Sequence, residues 1–368
     1  MPRRSARVLL GLGLATGLAL SACSTSPPPA APPPSAGPAT TTTGLLPPGV
    51  PTEGVRPDTA NLPLAAEPQS APPPTTPPPG RQVQVGSAPE GVVVDPVTRT
   101  VAVTKRNPNE VVLLDADTGA ERARTPLPGF VRHLQLAAPG GPVLVPVESA
   151  NSLVRVALPG GQGDPPLFVG TVPHDATQAP NGTVLTADEL GGTVSAVRGD
   201  QVVKVFTDAV QPAGLAPVGN LVGLVDVRKN DLTVYDVATL RIVGSAPSGA
   251  GPTHLVADRH GRMIATDTRG DQVIVFQPNP DGPPTQVGAV PQPGGPYGIT
   301  YDPVRDRVYV ASSGTNEVVA YDMTNPQPRE VARIPTVQNP YTVGVDPQTG
   351  RLFVAGVSTG VVQIVDAP

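Results

Sequence analysis

Pro296-Tyr297-Gly298-Ile299-Thr300-Tyr301-Asp302 returns 44 residues later as Pro340-Tyr341-Thr342-Val343-Gly344-Val345-Asp346. The same phrase stands at Pro89-Glu90-Gly91-Val92-Val93-Val94-Asp95 and at Pro252-Thr253-His254-Leu255-Val256-Ala257-Asp258. Weaker copies start at Val131, Pro173 and Pro212. The seven starts are spaced by 39 to 44 residues. A period near 40 residues whose apolar positions alternate is the pattern of a four-stranded sheet repeated around a ring, a β-propeller blade. The first copy fits that template with strands at 92–95, 100–104, 111–115 and 121–127, separated by Pro-, Asn- and Gly-containing turns. The sixth continues the pattern with strands at 308–311, 318–322 and 330–334. No stretch carries a long helical period.

The seventh copy runs out early. It offers strands at 342–346, 352–357 and 361–366, and the sequence given ends at Pro368. The segment 81–86, Arg-Gln-Val-Gln-Val-Gly, reads like the last strand of a blade, as do 285–288 and 241–244. Pairing 81–86 with 361–366 closes the ring and removes the exposed edges that an open array would leave. The expected architecture is therefore all-β: a seven-bladed propeller over 81–368, closed by an N-terminal strand that completes the last blade.

The runs 308–322 (Val-Tyr-Val-Ala-Ser-Ser-Gly-Thr-Asn-Glu-Val-Val-Ala-Tyr-Asp) and 339–354 resemble the YVTN-repeat (YncE-like) family of bacterial seven-bladed propellers. There a Tyr-Val-x-Asn-like strand precedes an Asn-x-Val-x-Val-Asp strand. The resemblance covers roughly 81–368 and is strongest in the last two repeats. It implies a fold and an extracytoplasmic setting; it implies no reaction, because a fold hosts many functions. The chain has no Trp, which excludes a WD40 assignment and the Trp motifs of quinoprotein propellers.

Residues 1–80 differ in kind. Of the 51 prolines, 19 fall within 24–80, which holds no aromatic residue. Arg3, Arg4 and Arg7 precede an apolar stretch at 8–20 that is too short to span a bilayer. It ends in Leu20-Ser21-Ala22-Cys23, which resembles the bacterial lipobox. The resemblance implies a signal peptide at 1–22, acylation of Cys23, and attachment to the cell membrane at its extracytoplasmic face. The segment 23–80 reads as a Pro-rich disordered linker, a tether of polyproline II character.

Cys23 is the only cysteine, so internal disulfides and Cys-based metal sites are excluded. A net charge of −5 argues against a nucleic-acid partner held through phosphates. Neither Gly-x-Ser-x-Gly nor His-Glu-x-x-His occurs. The aspartates that end the phrase (Asp95, Asp258, Asp302, Asp346), and Asp115, Asp236 and Asp322, read as turn formers that bind amides two residues on.

In a propeller the innermost strands line the axis, and the loops before them converge on one mouth. The repeat phase places Glu90, Arg132, His133, His174, Asp175, His254, Tyr297 and Tyr341 there as ligand candidates. The loops between second and third strands form a further ring that includes Lys105, Arg106, Glu148, Asp188, Glu189, Asn316 and Glu317. His133, His174, Asp175 and His254 combine imidazoles with a carboxylate, a donor set suited to a divalent metal ion. His174 beside Asp175 or Glu90 is also a candidate acid–base pair, and the same groups can simply cap the axis. The expected function is a cell-envelope lipoprotein whose propeller binds an envelope protein, a glycan or a small molecule. The alternative is a metal-dependent lactonase- or lyase-like enzyme using the axial His/Asp set.

Overall fold

The computed structural model describes residues 49–367, and within them each repeat becomes an antiparallel sheet. Blade 1 runs outward from the axis through strands Val92–Asp95, Thr100–Lys105, Glu110–Asp115 and Glu121–Pro126. The innermost strands of blades 2 to 7 are Gln135–Leu136, Pro173–Gln178, Pro212–Val218, Pro252–Ala257, Pro296–Asp302 and Pro340–Val345. The described residues contain no α-helix, only a 3-10 turn at Glu148–Ala150. The ring closes as expected: Arg81–Gln84 pairs antiparallel with Val361–Asp366, with Val83 opposite Val362 and Gln84 opposite Val361.

Apolar alternation explains where the core lies. Both faces of each blade meet a neighbour, so the inner three strands are buried almost throughout. The described residues form seven apolar clusters, one between each pair of adjacent blades. Val92, Val94, Val101 and Val103 of blade 1 pack on Phe353, Ala355, Val362 and Ile364 of blade 7, with Val85 buried beside them. That cluster closes the circle.

Two sequence features of the repeat now have physical causes. The residue before the third strand adopts a left-handed backbone in most blades: Asn151, Asn230, Asp271 and Asn316 have φ between 51° and 58°, and glycine fills the place at 192 and 360. Asn, Asp and Gly tolerate that region best. The Gly of the phrase answers a steric demand. A Cβ on Gly298 would lie 2.2 Å from the Tyr341 carbonyl, and one on Gly214 would lie 2.7 Å from the His254 Cα. The innermost strands crowd together at the mouth end of the axis. The aspartates behave as turn formers: the Asp95, Asp258, Asp302 and Asp346 carboxylates accept the amides of Val97, His260, Val304 and Gln348.

Over 49–80 the Pro-rich segment departs from the expectation of an unpacked tether; the rest of that tether, 23–48, lies outside the described residues. Residues 49–80 run across the mouth face of the ring. Thr52–Glu53 adds a parallel strand to the outer edge of blade 3, and Lys204 Nζ lies 3.0 Å from Glu53 Oε2. Arg228 Nε donates to the Pro63 carbonyl at 2.9 Å, Gln338 Nε2 to Ala71 at 2.9 Å and Asn316 Nδ2 to Pro72 at 2.8 Å. Ala66 and Ala71 are buried. An extended Pro-rich backbone makes no hydrogen bonds of its own, so its carbonyls are free to accept from the loop side chains beneath. The signal segment 1–22 and Cys23 lie outside the described residues.

Candidate functional site

The axis is divided into a polar mouth and an apolar funnel by two histidines. His133 of blade 2 and His254 of blade 5 meet across it, His254 Nε2 lying 3.1 Å from His133 Nδ1. The same position of the phrase is glycine at 91, 214 and 298. The His133 ring centroid is also 4.3 Å from that of His174, edge to face. Tyr297 stacks 4.4 Å from His254, and Tyr341 5.7 Å from Tyr297. Burial pushes both His133 and His254 well below the usual imidazole range, and the nearby His174 and Arg132 push in the same direction. Both rings are therefore neutral near pH 7.

Above this pair lies a charged cluster. Arg132 Nε donates to Glu148 Oε1 at 2.7 Å, and its Nη2 pairs with Glu189 Oε2. Gln211 Nε2 donates to Glu189 Oε1 at 2.9 Å. His174 Nδ1 lies 3.3 Å from Glu148 Oε1 and 3.5 Å from Glu189 Oε2, yet makes no hydrogen bond. Arg132, Glu148, His174 and Glu189 are largely withdrawn from solvent. Burial pushes the Glu189 carboxyl up, but Arg132, His174 and Gln211 outweigh it and hold it below the ordinary value. Burial also raises the Glu90 carboxyl, against the pull of Arg106 at 2.7 Å and of Arg132. The covering segment adds Glu67, which lines a small cavity of about 10 Å³ together with Arg132, His174, Glu189 and Tyr297.

Below the histidine pair the axis widens into a funnel of about 530 Å³, lined by the innermost strands of all seven blades and by Pro96, Pro139, Pro303 and Pro347 at its rim. Its walls include Leu215, Val256, Ile299 and Val343, and its polar groups include Gln135, Thr177 and Thr300. Asp175 belongs here rather than at the mouth. Its carboxylate accepts Leu215 N at 2.8 Å, Ala176 N at 2.8 Å and Gln135 Nε2 at 2.9 Å. Thr177 Oγ1 donates to Gln135 Oε1 at 2.7 Å. Burial raises the Asp175 carboxyl despite these donors.

The sequence-derived candidates thus separate. Arg132, His174 and Tyr297 line the mouth cavity, Glu90 and Tyr341 stand close to them, and His133 and His254 form the boundary with the funnel. The metal set His133, His174, Asp175, His254 does not assemble. Asp175 holds the third position of the phrase, as His133 and His254 do, and lines the funnel with them, whereas His174, one position earlier, lines the mouth cavity. Among the described residues the grouping able to hold a metal ion is Glu148, His174 and Glu189, whose ligand atoms lie within 4.8 Å of one another. Both glutamates stand in the loop ring read from the sequence; what was missing was their convergence with His174. His260 is on the opposite face, with Nε2 2.8 Å from Asp306 Oδ2.

No protein-family model and no curated protein matches the chain. Solved structures do. The virginiamycin B lyase of Staphylococcus aureus is 16% identical, with a TM-score of 0.62 over 77% of this chain and 99% of that one. The hydrazine synthase of Kuenenia stuttgartiensis is 17% identical, with a TM-score of 0.65 over 77% and 97%. The Cps50 (Swd1) propeller domain of Myceliophteria thermophila is 13% identical, with a TM-score of 0.66 over 78% and 100%. At these identities the likeness is one of fold, and the fold is the seven-bladed β-propeller.

Proposed function

We propose that the chain is a lipid-anchored binding propeller of the bacterial envelope, attached through Cys23, whose axial funnel takes a small, uncharged, largely apolar molecule. The observation that carries this reading is the funnel itself. Its volume of about 530 Å³ falls in the range of ligand pockets, and its walls are mostly aliphatic with a few convergent polar groups. Its floor is a pair of neutral imidazoles, and its one carboxylate, Asp175, is held by three donors of the protein itself, so the lining offers a ligand few ionic contacts. The opposite mouth is covered by residues 63–72 and is closed to anything larger than an ion or a water. The resemblance of 308–322 and 339–354 to YVTN-repeat propellers supports the extracytoplasmic setting.

The test uses the absence of tryptophan. Thr300 lines the funnel, and Thr300→Trp narrows it while adding the chain's sole tryptophan. The wild type is expected to enhance N-phenyl-1-naphthylamine fluorescence saturably, and Thr300→Trp to weaken that binding at least about tenfold with an unchanged melting temperature. No saturable enhancement by the wild type refutes the reading, as does equal binding by both proteins.

A metal-dependent, lyase-like enzyme is the second reading. The Glu148/His174/Glu189 grouping favours it. So does the presence, among solved structures of similar fold, of a virginiamycin B lyase variant described as catalytically inactive after a histidine-to-alanine change. Turnover that requires added divalent ion and vanishes in His174→Ala decides for the enzyme.

A further inference from the structure

The mouth holds more negative charge than its own partners neutralise. Four carboxylates, Glu67, Glu90, Glu148 and Glu189, stand against two guanidiniums, Arg106 and Arg132. Arg106 belongs to Glu90, so Arg132 alone answers the other three. Glu67 is exposed to solvent at the edge of the cavity, and among the described residues it forms no ion pair. The buried Glu148 and Glu189 therefore share one guanidinium, a costly arrangement that a divalent cation relieves.

The geometry provides a place for such an ion. With bonds of about 2.0–2.2 Å, adjacent ligand atoms around a metal stand about 3.0–3.5 Å apart. His174 Nδ1 is 3.3 Å from Glu148 Oε1 and 3.5 Å from Glu189 Oε2. His174 is 4% exposed, and its Nδ1 has no hydrogen-bond partner, which is unusual for a buried imidazole nitrogen aimed at two carboxylates. Arg132 does not exclude an ion, because each carboxylate oxygen carries two lone pairs and the guanidinium uses one. The adjoining cavity of about 10 Å³ has room for a single atom-sized guest, and Glu67 reaches it from the covering segment.

We propose that Glu148, His174 and Glu189 hold one divalent cation at the covered mouth, and that Glu67 supplies a further carboxylate oxygen from above. The ion then fastens residues 63–72 onto the propeller. A donor set of three carboxylates and one imidazole suits Mn²⁺ or Zn²⁺ over soft metals. This site is independent of the funnel: it lies on the other side of the His133–His254 pair.

The full chain, stripped of metal and titrated with Mn²⁺, should take up one equivalent, read by loss of the free-ion electron paramagnetic resonance signal. Glu148→Gln and His174→Ala should each weaken uptake at least about tenfold. Glu67→Gln lies outside the blades and leaves their core untouched; it too should weaken uptake about tenfold. Leu64 is exposed, so chymotryptic cleavage after it reports the covering segment. Mn²⁺ should slow that cleavage about tenfold in the wild type and not in Glu67→Gln. Failure of Mn²⁺, Zn²⁺ and Mg²⁺ alike to bind means that the cavity holds water and overturns the proposal. Tight binding that Glu67→Gln leaves unchanged, with no change in cleavage, overturns the role of Glu67.

Discussion

Asp188 ends the second strand of blade 3 and is wholly buried. Its counterpart in blade 4, Asp226, accepts backbone N–H groups from Val210, Gln211, Arg228 and Lys229. Among the described residues Asp188 instead accepts only hydroxyls, from Thr186 at 2.9 Å, Thr193 at 3.1 Å and Ser195 at 2.6 Å. Hydroxyls can rotate and bond a neutral carboxyl equally well, so they stabilise the charged form less than fixed amides do. Burial prevails over them and raises the carboxyl from 3.8 to about 7. Below the unfolded value both folded and unfolded chains hold the proton, and the stability this group contributes is fully present. As pH climbs from about 4 to about 7, the unfolded chain releases its proton while the folded chain keeps it, so stability falls. A shift of about three units at 1.36 kcal/mol each makes that loss about 4 kcal/mol. Asp188→Asn imitates the protonated carboxyl, with an acceptor oxygen and a donor group in the same shape, and does not titrate. Urea unfolding of both proteins at pH 4.5, 6 and 8 should give similar midpoints at pH 4.5. The variant should gain on the wild type as pH rises, by up to about 4 kcal/mol at pH 8. Stability curves that run parallel, their separation changing by less than about 1 kcal/mol across the range, refute the reasoning.

Three further outcomes are expected. Deleting residues 81–87 removes the short closing ladder and the burial of Val85, together about 5 kcal/mol, and should lower the melting temperature by roughly 10 °C; an unchanged midpoint refutes closure by this strand. Gly298→Ala forces a Cβ to within 2.2 Å of the Tyr341 carbonyl and should cost about 1–3 kcal/mol in chemical denaturation, whereas Gly160→Ala, which meets nothing within 4 Å, should stay within about 0.5 kcal/mol of wild type. Cys23→Ser should abolish incorporation of radiolabelled palmitate and move the protein from the membrane to the soluble fraction on cell fractionation.

The ring was legible because each repeat carries the same local demands. Val92–Asp95 and Val361–Asp366 are strands with the bounds that alternation alone assigns, and elsewhere the ends move by a residue or two as hydrogen-bond ladders extend past the apolar run. The mouth was legible only in part. Repeat phase fixes which blade and which loop a residue occupies, so Glu90, Arg132, His133, His174 and His254 could be assigned to one end of the axis. It does not fix which side chains converge. Asp175 holds the same phrase position as His133 and His254, yet its carboxylate is taken up by the Leu215 amide and Gln135. Glu148 and Glu189 come from loops in two different blades, and Arg132, not adjacency, brings them together.

Glu67 shows where composition misleads. Read as a string, 49–80 has the prolines and the polar and small residues of an unfolded tether, and a segment judged by what it can bury of its own surface has no reason to be ordered. Order here comes from outside. Pro63, Leu64, Ala71 and Pro72 present unpaired carbonyls, and the loops of blades 4 to 6 and the blade 6–7 junction present Arg228, Arg269, Asn316 and Gln338 as donors. The same loops that a propeller uses to form its mouth are therefore occupied by the chain's own N-terminal segment. Proline favours such a cover, because its backbone is already extended and loses little freedom when laid across the face. Only the donors on the partner surface distinguish a strap of this kind from a passive spacer. They are scattered from 228 to 338, where neither the composition of the segment nor its spacing gives any sign of them.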